Sequence, residues 1–385
     1  MKILVLGAGI IGTSTAWHLL DRGHDVTVVD RQDAAARETS FANAGQISVS
    51  YCEPWANKHA PLKLVKWMFR NDAPLLFRPQ FDWQQWRWGL AFLAQCHDAA
   101  FERNVRQLVA LGAYSHAALK DVVHTTGIEY RRLERGIAHF YTDRKSFDDA
   151  AEGAELMQRF GVDRKVVSRE ELLKIEPAFR SFESSIAGGT YTSTDESGDA
   201  RAFTEQLATK AQERGAEFRY GHDIVRLERA GGEIVAVHVR DRKGIPARLE
   251  ADAVVVACGS YSAPLLRSVG VDLPIYPGKG YSATFPILEP GRAPFVSAID
   301  DEVKVAMSRF GNELRVAGTI ELAGFDLSLD SPVAKARCKM LANRIEKLMP
   351  GVCDTRAAEE GGNPRFWTGL RPATPTNIPY IGRTR

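Results

Sequence analysis

The chain has 385 residues, of which 44% are hydrophobic and 25% charged, with a formal net charge of +2. That length leaves room for two domains of ordinary globular composition, and the near-neutral balance, with no basic stripe, speaks against a nucleic-acid partner. Cys52, Cys96, Cys258, Cys338 and Cys353 form no C-x-x-C and the histidines no H-x-x-x-H, which argues against disulfides and metal chemistry and for a reducing compartment.

The first predicted element is a buried parallel strand, Ile3 to Leu6, running into Gly7. The apolar start is too short for a signal peptide, and no run of about 18 uncharged apolar residues is present to span a membrane. Gly7, Ala8, Gly9, Ile10, Ile11 and Gly12 then spell G-x-G-x-x-G, and Thr13 to Leu20 carries a helical pattern. A second strand, Asp25 to Val29, ends on the carboxylate of Asp30. Gly7 allows the tight turn, Gly9 lets a pyrophosphate approach the backbone, and Gly12 lets helix and strand pack closely. The helix N-terminus offers unpaired N–H groups and partial positive charge to phosphates. Asp30, eighteen residues beyond Gly12, is placed to accept hydrogen bonds from a ribose. The pattern predicts a bound dinucleotide. It leaves FAD and NAD both open, and Asp30 argues against a 2′-phosphate.

Residues 33–60 read as an ordered loop region rich in small and polar residues. Residues 81–125 read as two helical stretches, Gly136 to Thr142 as a strand, and Asp148 to Phe160 as a helix. Ser168, with Glu171 three residues on, predicts a capping box. From about residue 198 the chain returns to nucleotide-domain character. Ala202 to Arg214 is an amphipathic helix stopped by Gly215. Glu217 to Tyr220, Asp223 to Glu228 and Glu233 to Arg240 are strand-like. The run from Ala251 is a buried strand entering a second glycine turn at Cys258 and Gly259. Pro274 to Phe285 and Phe295 to Ile320 are strand-rich, and Val333 to Leu348 is helical. This alternation predicts an α/β fold in which a Rossmann-like dinucleotide domain (1–52, 190–265, 356–385) interleaves with an α+β substrate domain (53–189, 266–355) holding a mostly antiparallel sheet.

Three further segments, ETSFANAGQISVSYCEPWA (38–56), YPGKGYSAT (276–284) and WTGLRPATPTNIPYIGRTR (367–385), follow in order. With them, nearly the whole chain resembles the glycine oxidase and D-amino acid oxidase superfamily of FAD-dependent oxidoreductases, and within it the bacterial D-amino acid dehydrogenases. The resemblance implies FAD. It places Arg31 beside Asp30 and puts Ser40, Asn43, Ala44, Gly45 and Gln46 along phosphate and flavin. It also assigns backbone at Val225 to adenine, and Cys258 and Gly259 to the second turn over the same cofactor. Plain polar loop remains the alternative for residues 40–46, and a buried small side chain is the ordinary role for Cys258.

Flavin does the electron chemistry, so the protein must orient the substrate and hold its carboxylate. A planar guanidinium suits that task, and the resemblance implies Arg371 for it, followed by the restraining Pro372. Tyr281 and Tyr51 are the candidates for a second polar anchor, with simple packing as the alternative. Lys279 is placed near the flavin edge, with a solvated lysine as the alternative. The resemblance implies oxidative deamination of D-amino acids, D-alanine foremost, with electrons passed to a quinone or other respiratory-chain acceptor. An O₂-using oxidase on the same scaffold, an NAD-linked reductase and an inert binding subunit are the competing readings.

Trp55, Trp67, Trp83, Trp86 and Trp88 crowd into 34 residues among Lys58, Lys63, Lys66, Arg70, Arg78 and Arg87. Rings beside cations suit a lipid headgroup interface, so part of residues 61–93 is expected to dock on the cytoplasmic side of the inner membrane or on a partner. The alternative puts these rings in the core and pocket lid. Beyond PYIG and Arg385, the resemblance implies a further strand, a glycine-rich turn with a histidine, and a closing helix.

Overall fold

The computed structural model describes residues 1–67, 74–356 and 366–384. Lys2–Leu6 sits inside a parallel sheet, with Asp25–Val29 on one side and Ala253–Val256 on the other, and Glu217–Arg219 beyond Asp25–Val29. Alternation sorts its side chains onto two faces. Ile3, Val5, Val26 and Val28 face Ala16 and Ala208 of the helices Ile10–Asp21 and Ala200–Glu213. Leu4, Leu6 and Val29 face Leu227, Val237 and Val239 of the antiparallel sheet formed by His222–Ala230, Glu233–Asp241 and Pro246–Glu250. The first helix begins at Ile10, earlier than the apolar pattern suggested, because Gly9 is its N-cap and Gly12 lies in its first turn.

Among the described residues the second sheet has nine strands, most of them paired antiparallel. Tyr276–Pro286 lies between Glu313–Leu322 and Phe366–Ala373. Helix Pro332–Leu348 covers one face, burying Leu341, Ile345 and Leu348 against Ala283, Phe285, Met307 and Val316. Two of its strands cross the expected domain limits. Gly188–Thr192 straddles residue 190, and Phe366–Ala373, assigned from sequence to the nucleotide domain, hydrogen-bonds into this sheet. The Ser168–Glu171 capping box is formed in both directions. The helix expected from Asp148 starts at Arg144 instead, because the Asp143 side chain accepts from Ser146 N and caps it there.

Among the described residues no helix is long and apolar enough to cross a membrane. The aromatic segment divides. Trp88 is core, donating from its indole to Ala373 O at 2.9 Å and stacking on Phe92. Trp83, Trp86, Leu90 and Leu93 of helix Trp83–Leu93 form an exposed stripe on the opposite face. Met68, Phe69 and Arg70 lie outside the described residues, as do the side chains of Lys63, Lys66 and Trp67.

Candidate active site

The glycine turn is sterically committed. A Cβ on Gly12 would sit 1.8 Å from Gly7 O, and one on Gly7 (φ +105°) 2.5 Å from Ala257 O. The first turn is thereby pressed against the second, where the Cys258 thiol donates to Leu6 O at 3.2 Å. Burial pushes that thiol up to about 12, so it is an inert packing group. Helix Ile10–Asp21 has no side-chain cap and no acid in its first turn. Of its first N–H groups, Ile10 N donates to Ser40 Oγ at 3.0 Å. Asp30 stands at the mouth of the turn, accepting from Ala8 N at 2.6 Å and Gln32 N at 2.8 Å. Burial raises its carboxyl above the usual range, against the pull of those two bonds. Arg31 lies next to it, held by Glu38 and over the Tyr261 ring at 3.9 Å. Val225 is the extra residue of a β-bulge, skipped in the register between Ile224 and Arg226, so its peptide groups are released from the ladder. A helix end whose N-cap residue is a glycine, a glycine cradle that a Cβ would fill, a fixed carboxylate and a bulged backbone together fit a dinucleotide.

The loop through residues 40–46 joins this cradle to the second sheet. Asn43 Oδ1 accepts from Gly45 N at 2.9 Å, and Gln46 Nε2 donates to Ser297 Oγ at 2.9 Å. Ala44 lies between them, half-buried. A Cβ on Gly45 would meet Gly198 O at 2.4 Å. Thr39 Oγ1 and Ser260 Oγ both donate to Leu370 O, at 2.8 and 3.1 Å. The first loop and the second glycine turn (Cys258, Gly259) thus both anchor the peptide immediately before Arg371.

Register decides which sequence candidates meet. Arg371 is paired with Gly278, and Gly369 with Gly280, so these four share one face of the sheet. That face is paved with glycine, and Arg371 rises from it. Lys279 and Tyr281 are one residue out of phase and point to the other face. There Tyr281 is buried, donating to Glu321 at 2.5 Å with Arg337 near its ring, and Lys279 donates to Ser328 O at 2.5 Å. Expectation and structure part here: Tyr281 and Lys279 are not brought to Arg371, because alternation along one strand cannot deliver both.

Tyr51 is brought to it. Its phenol and the Arg371 guanidinium act on each other electrostatically, and Trp55 lies beneath the guanidinium at 5.5 Å. Solvent reaches both side chains (Tyr51 is 38% exposed), yet protein surrounds them, as it does groups lining a cleft. Burial lowers the guanidinium's affinity for its proton, with Tyr51 in partial compensation. Among the described residues no carboxylate lies within ion-pair distance of Arg371. A guanidinium in a cleft with no carboxylate partner among the described residues invites an anionic ligand.

Sequence reasoning missed what lies behind Tyr51. Asp195 pins its loop by accepting from Ser48 Oγ (2.6 Å), Ser50 Oγ (2.5 Å) and Val49 N (3.0 Å). His139 is 2% exposed, packs edge-on against the Tyr51 ring at 4.7 Å, and pairs through Nδ1 with Asp301 at 3.0 Å. Arg164 bridges Glu53 (2.7 Å) and Tyr141 (3.2 Å). The available signal was a histidine at the centre of an otherwise apolar strand, Ile137–Tyr141.

Comparison with known proteins gives a consistent result. The family described as "FAD dependent oxidoreductase" (DAO) matches residues 2–385. A D-amino acid dehydrogenase of Dechloromonas aromatica is 50% identical over 385 residues, covering 100% of this chain and 90% of the relative. A D-amino acid dehydrogenase of Paramagnetospirillum magneticum is 43% identical, covering 100% and 88%. Among solved structures, glycine oxidase from Geobacillus kaustophilus superposes with a TM-score of 0.71 at 20% identity, covering 100% of this chain and 86% of that one. L-proline dehydrogenase from P. horikoshii gives 0.69 at 18% identity, covering 100% and 84%. The last two are likenesses of fold.

Proposed function

From the premise that this chain belongs to the FAD-dependent oxidoreductase family, we propose that it deaminates D-amino acids oxidatively as an FAD-dependent dehydrogenase, giving 2-oxo acids and ammonia. The observation that carries the reading within the site is Arg371, a solvent-reached guanidinium without an ion-pair partner among the described residues, rising from the face it shares with Gly278, Gly280 and Gly369.

When bound, FAD supplies the acceptor for the hydride equivalent leaving the substrate Cα. Gly7, Ala8, Gly9, Ile10, Ile11 and Gly12 hold its diphosphate, with Asp30 on the ribose and Arg31 alongside. Val225 contributes backbone to the adenine, and Ser40, Asn43, Ala44, Gly45, Gln46, Cys258 and Gly259 flank the rest. Arg371 fixes the substrate carboxylate by two parallel hydrogen bonds. Tyr51 and Trp55 wall the cleft, excluding water and limiting how the substrate turns about that anchor. Gly278 and Gly280 add no side chain to the face beside Arg371, while the Trp367 ring lies over Gly369, where a Cβ would meet it at 2.0 Å.

The acceptor belongs to the same proposal: electrons go to a quinone or other respiratory-chain carrier, at a membrane surface met by the stripe Trp83, Trp86, Leu90 and Leu93. Exposed rings and leucines on one helix face support a peripheral headgroup contact. Turnover of D- and L-alanine with a dye acceptor under argon, compared with peroxide yield in air, tests the chemistry. Peroxide matching total turnover would make the protein an oxidase. Flotation on anionic vesicles, lost in Trp83→Ser/Leu90→Ser, tests the contact, and equal flotation of both proteins would remove it.

A further inference from the structure

Behind the Tyr51 ring lies a buried polar group that carboxylate binding does not use. Resting on the deamination reading, we infer that His139 and Tyr51 form a substrate side-chain subsite that selects D-amino acids bearing a neutral hydrogen-bond donor, a hydroxyl or an amide.

The imidazole of His139 is anchored through one ring nitrogen. Its Nδ1 lies 3.0 Å from Asp301 Oδ2, so Nδ1 carries the hydrogen and donates. Asp301 is in turn paired with Lys304. The other nitrogen, Nε2, is buried and has no hydrogen-bond partner. A buried acceptor left unmade costs free energy, which a ligand's donor recovers. Tyr51, partly exposed and edge-on against the imidazole, is the cover: turning the phenol opens Nε2 to the cleft.

Position says which part of the substrate arrives there. Arg371 bears on Tyr51, while the charges bearing on His139 are those of Arg164, Glu53, Lys304 and Asp195. Tyr51 thus neighbours both: its ring packs on His139 at 4.7 Å and its phenol interacts with Arg371. A substrate held at Arg371 by its carboxylate extends past Tyr51 with its side chain.

Charge says which side chains fit. Glu53 is neutralised by Arg164 at 2.7 Å, Asp301 by Lys304, and Asp195 is saturated by the loop it holds. Burial and the Arg164 and Lys304 charges keep the imidazole neutral, against Glu53 and Asp195. A neutral acceptor among paired charges offers nothing specific to a cationic or anionic side chain. It takes an O–H or amide N–H.

Isosteric pairs test this. On the purified flavoprotein with a dye acceptor, kcat/KM is compared for D-threonine against D-valine and for D-asparagine against D-leucine. The polar member is expected to be favoured in at least one pair, and His139→Phe to reduce that preference by ~10-fold, chiefly through KM. His139→Gln, which keeps an acceptor, should restore most of it. Flavin absorbance and thermal midpoint report whether each variant is folded. A wild-type ratio below one in both pairs overturns the subsite without any variant, as does a ratio that His139→Phe leaves unchanged while D-alanine is still turned over. Absence of turnover of every D-amino acid by wild type overturns the deamination reading, and the subsite with it.

Discussion

Replacing Arg371 by leucine should separate activity from stability. The guanidinium sits on the sheet face opposite Gly278, reached by solvent and, among the described residues, without a carboxylate partner. Each charge-assisted hydrogen bond to a substrate carboxylate is worth roughly 1.5–3 kcal/mol. Losing two therefore costs about 3–6 kcal/mol, or roughly 10²–10⁴ in kcat/KM. Arg371→Lys keeps the charge without the fork and should recover only part of that. In the ligand-free protein the exposed guanidinium has no ion-pair partner among the described residues to lose, so the thermal midpoint should hold. The assay is kcat/KM for D-alanine with a dye acceptor, paired with a melting curve on the same preparation. A loss below about 3-fold in Arg371→Leu, with the protein folded, would refute the carboxylate assignment.

Gly12→Ala places a methyl 1.8 Å from Gly7 O, so helix and strand must part; FAD retention after gel filtration should be lost and the melting midpoint should fall. Asp30 has a raised carboxyl in the folded state, so the folded chain binds more protons than the unfolded one just above pH 3.8. Its contribution makes the FAD-free protein less stable as pH rises from there through the folded value, and Asp30→Asn should flatten that slope in pH-dependent melting. The Cys258 thiol, pushed up to about 12 and bonded to Leu6 O, should resist iodoacetamide at pH 8 in native protein and react after unfolding, by peptide mass analysis.

Local chemistry was legible where one segment carries its own instructions. The strand–glycine–helix–strand unit to Asp30, the Ser168–Glu171 box and the helix through Val333 to Leu348 are specified by near neighbours in sequence, and their elements appear in the structure. The site was legible only in part. Arg371 and Tyr51 come from segments 320 residues apart and still meet. Tyr281 failed because a motif gives proximity along the chain, whereas facing depends on strand register with Phe366–Ala373. His139, Asp195 and Arg164 carry no motif at all. Their significance arises from burial and from partners 23 to 162 residues away, which no local pattern encodes. The tryptophan cluster misled as a unit because burial sorts Trp88 from Trp83 on a single helix.

The central claim joins a glycine turn that grips FAD to a guanidinium that presents one enantiomer of an amino acid to it. Rapid mixing of the oxygen-free flavoprotein with excess D-alanine or L-alanine, followed in the visible flavin band, examines both halves in one trace. Full bleaching by D-alanine with none by L-alanine is the predicted result. A flavin band untouched by either enantiomer, or bleached equally by both, would contradict it.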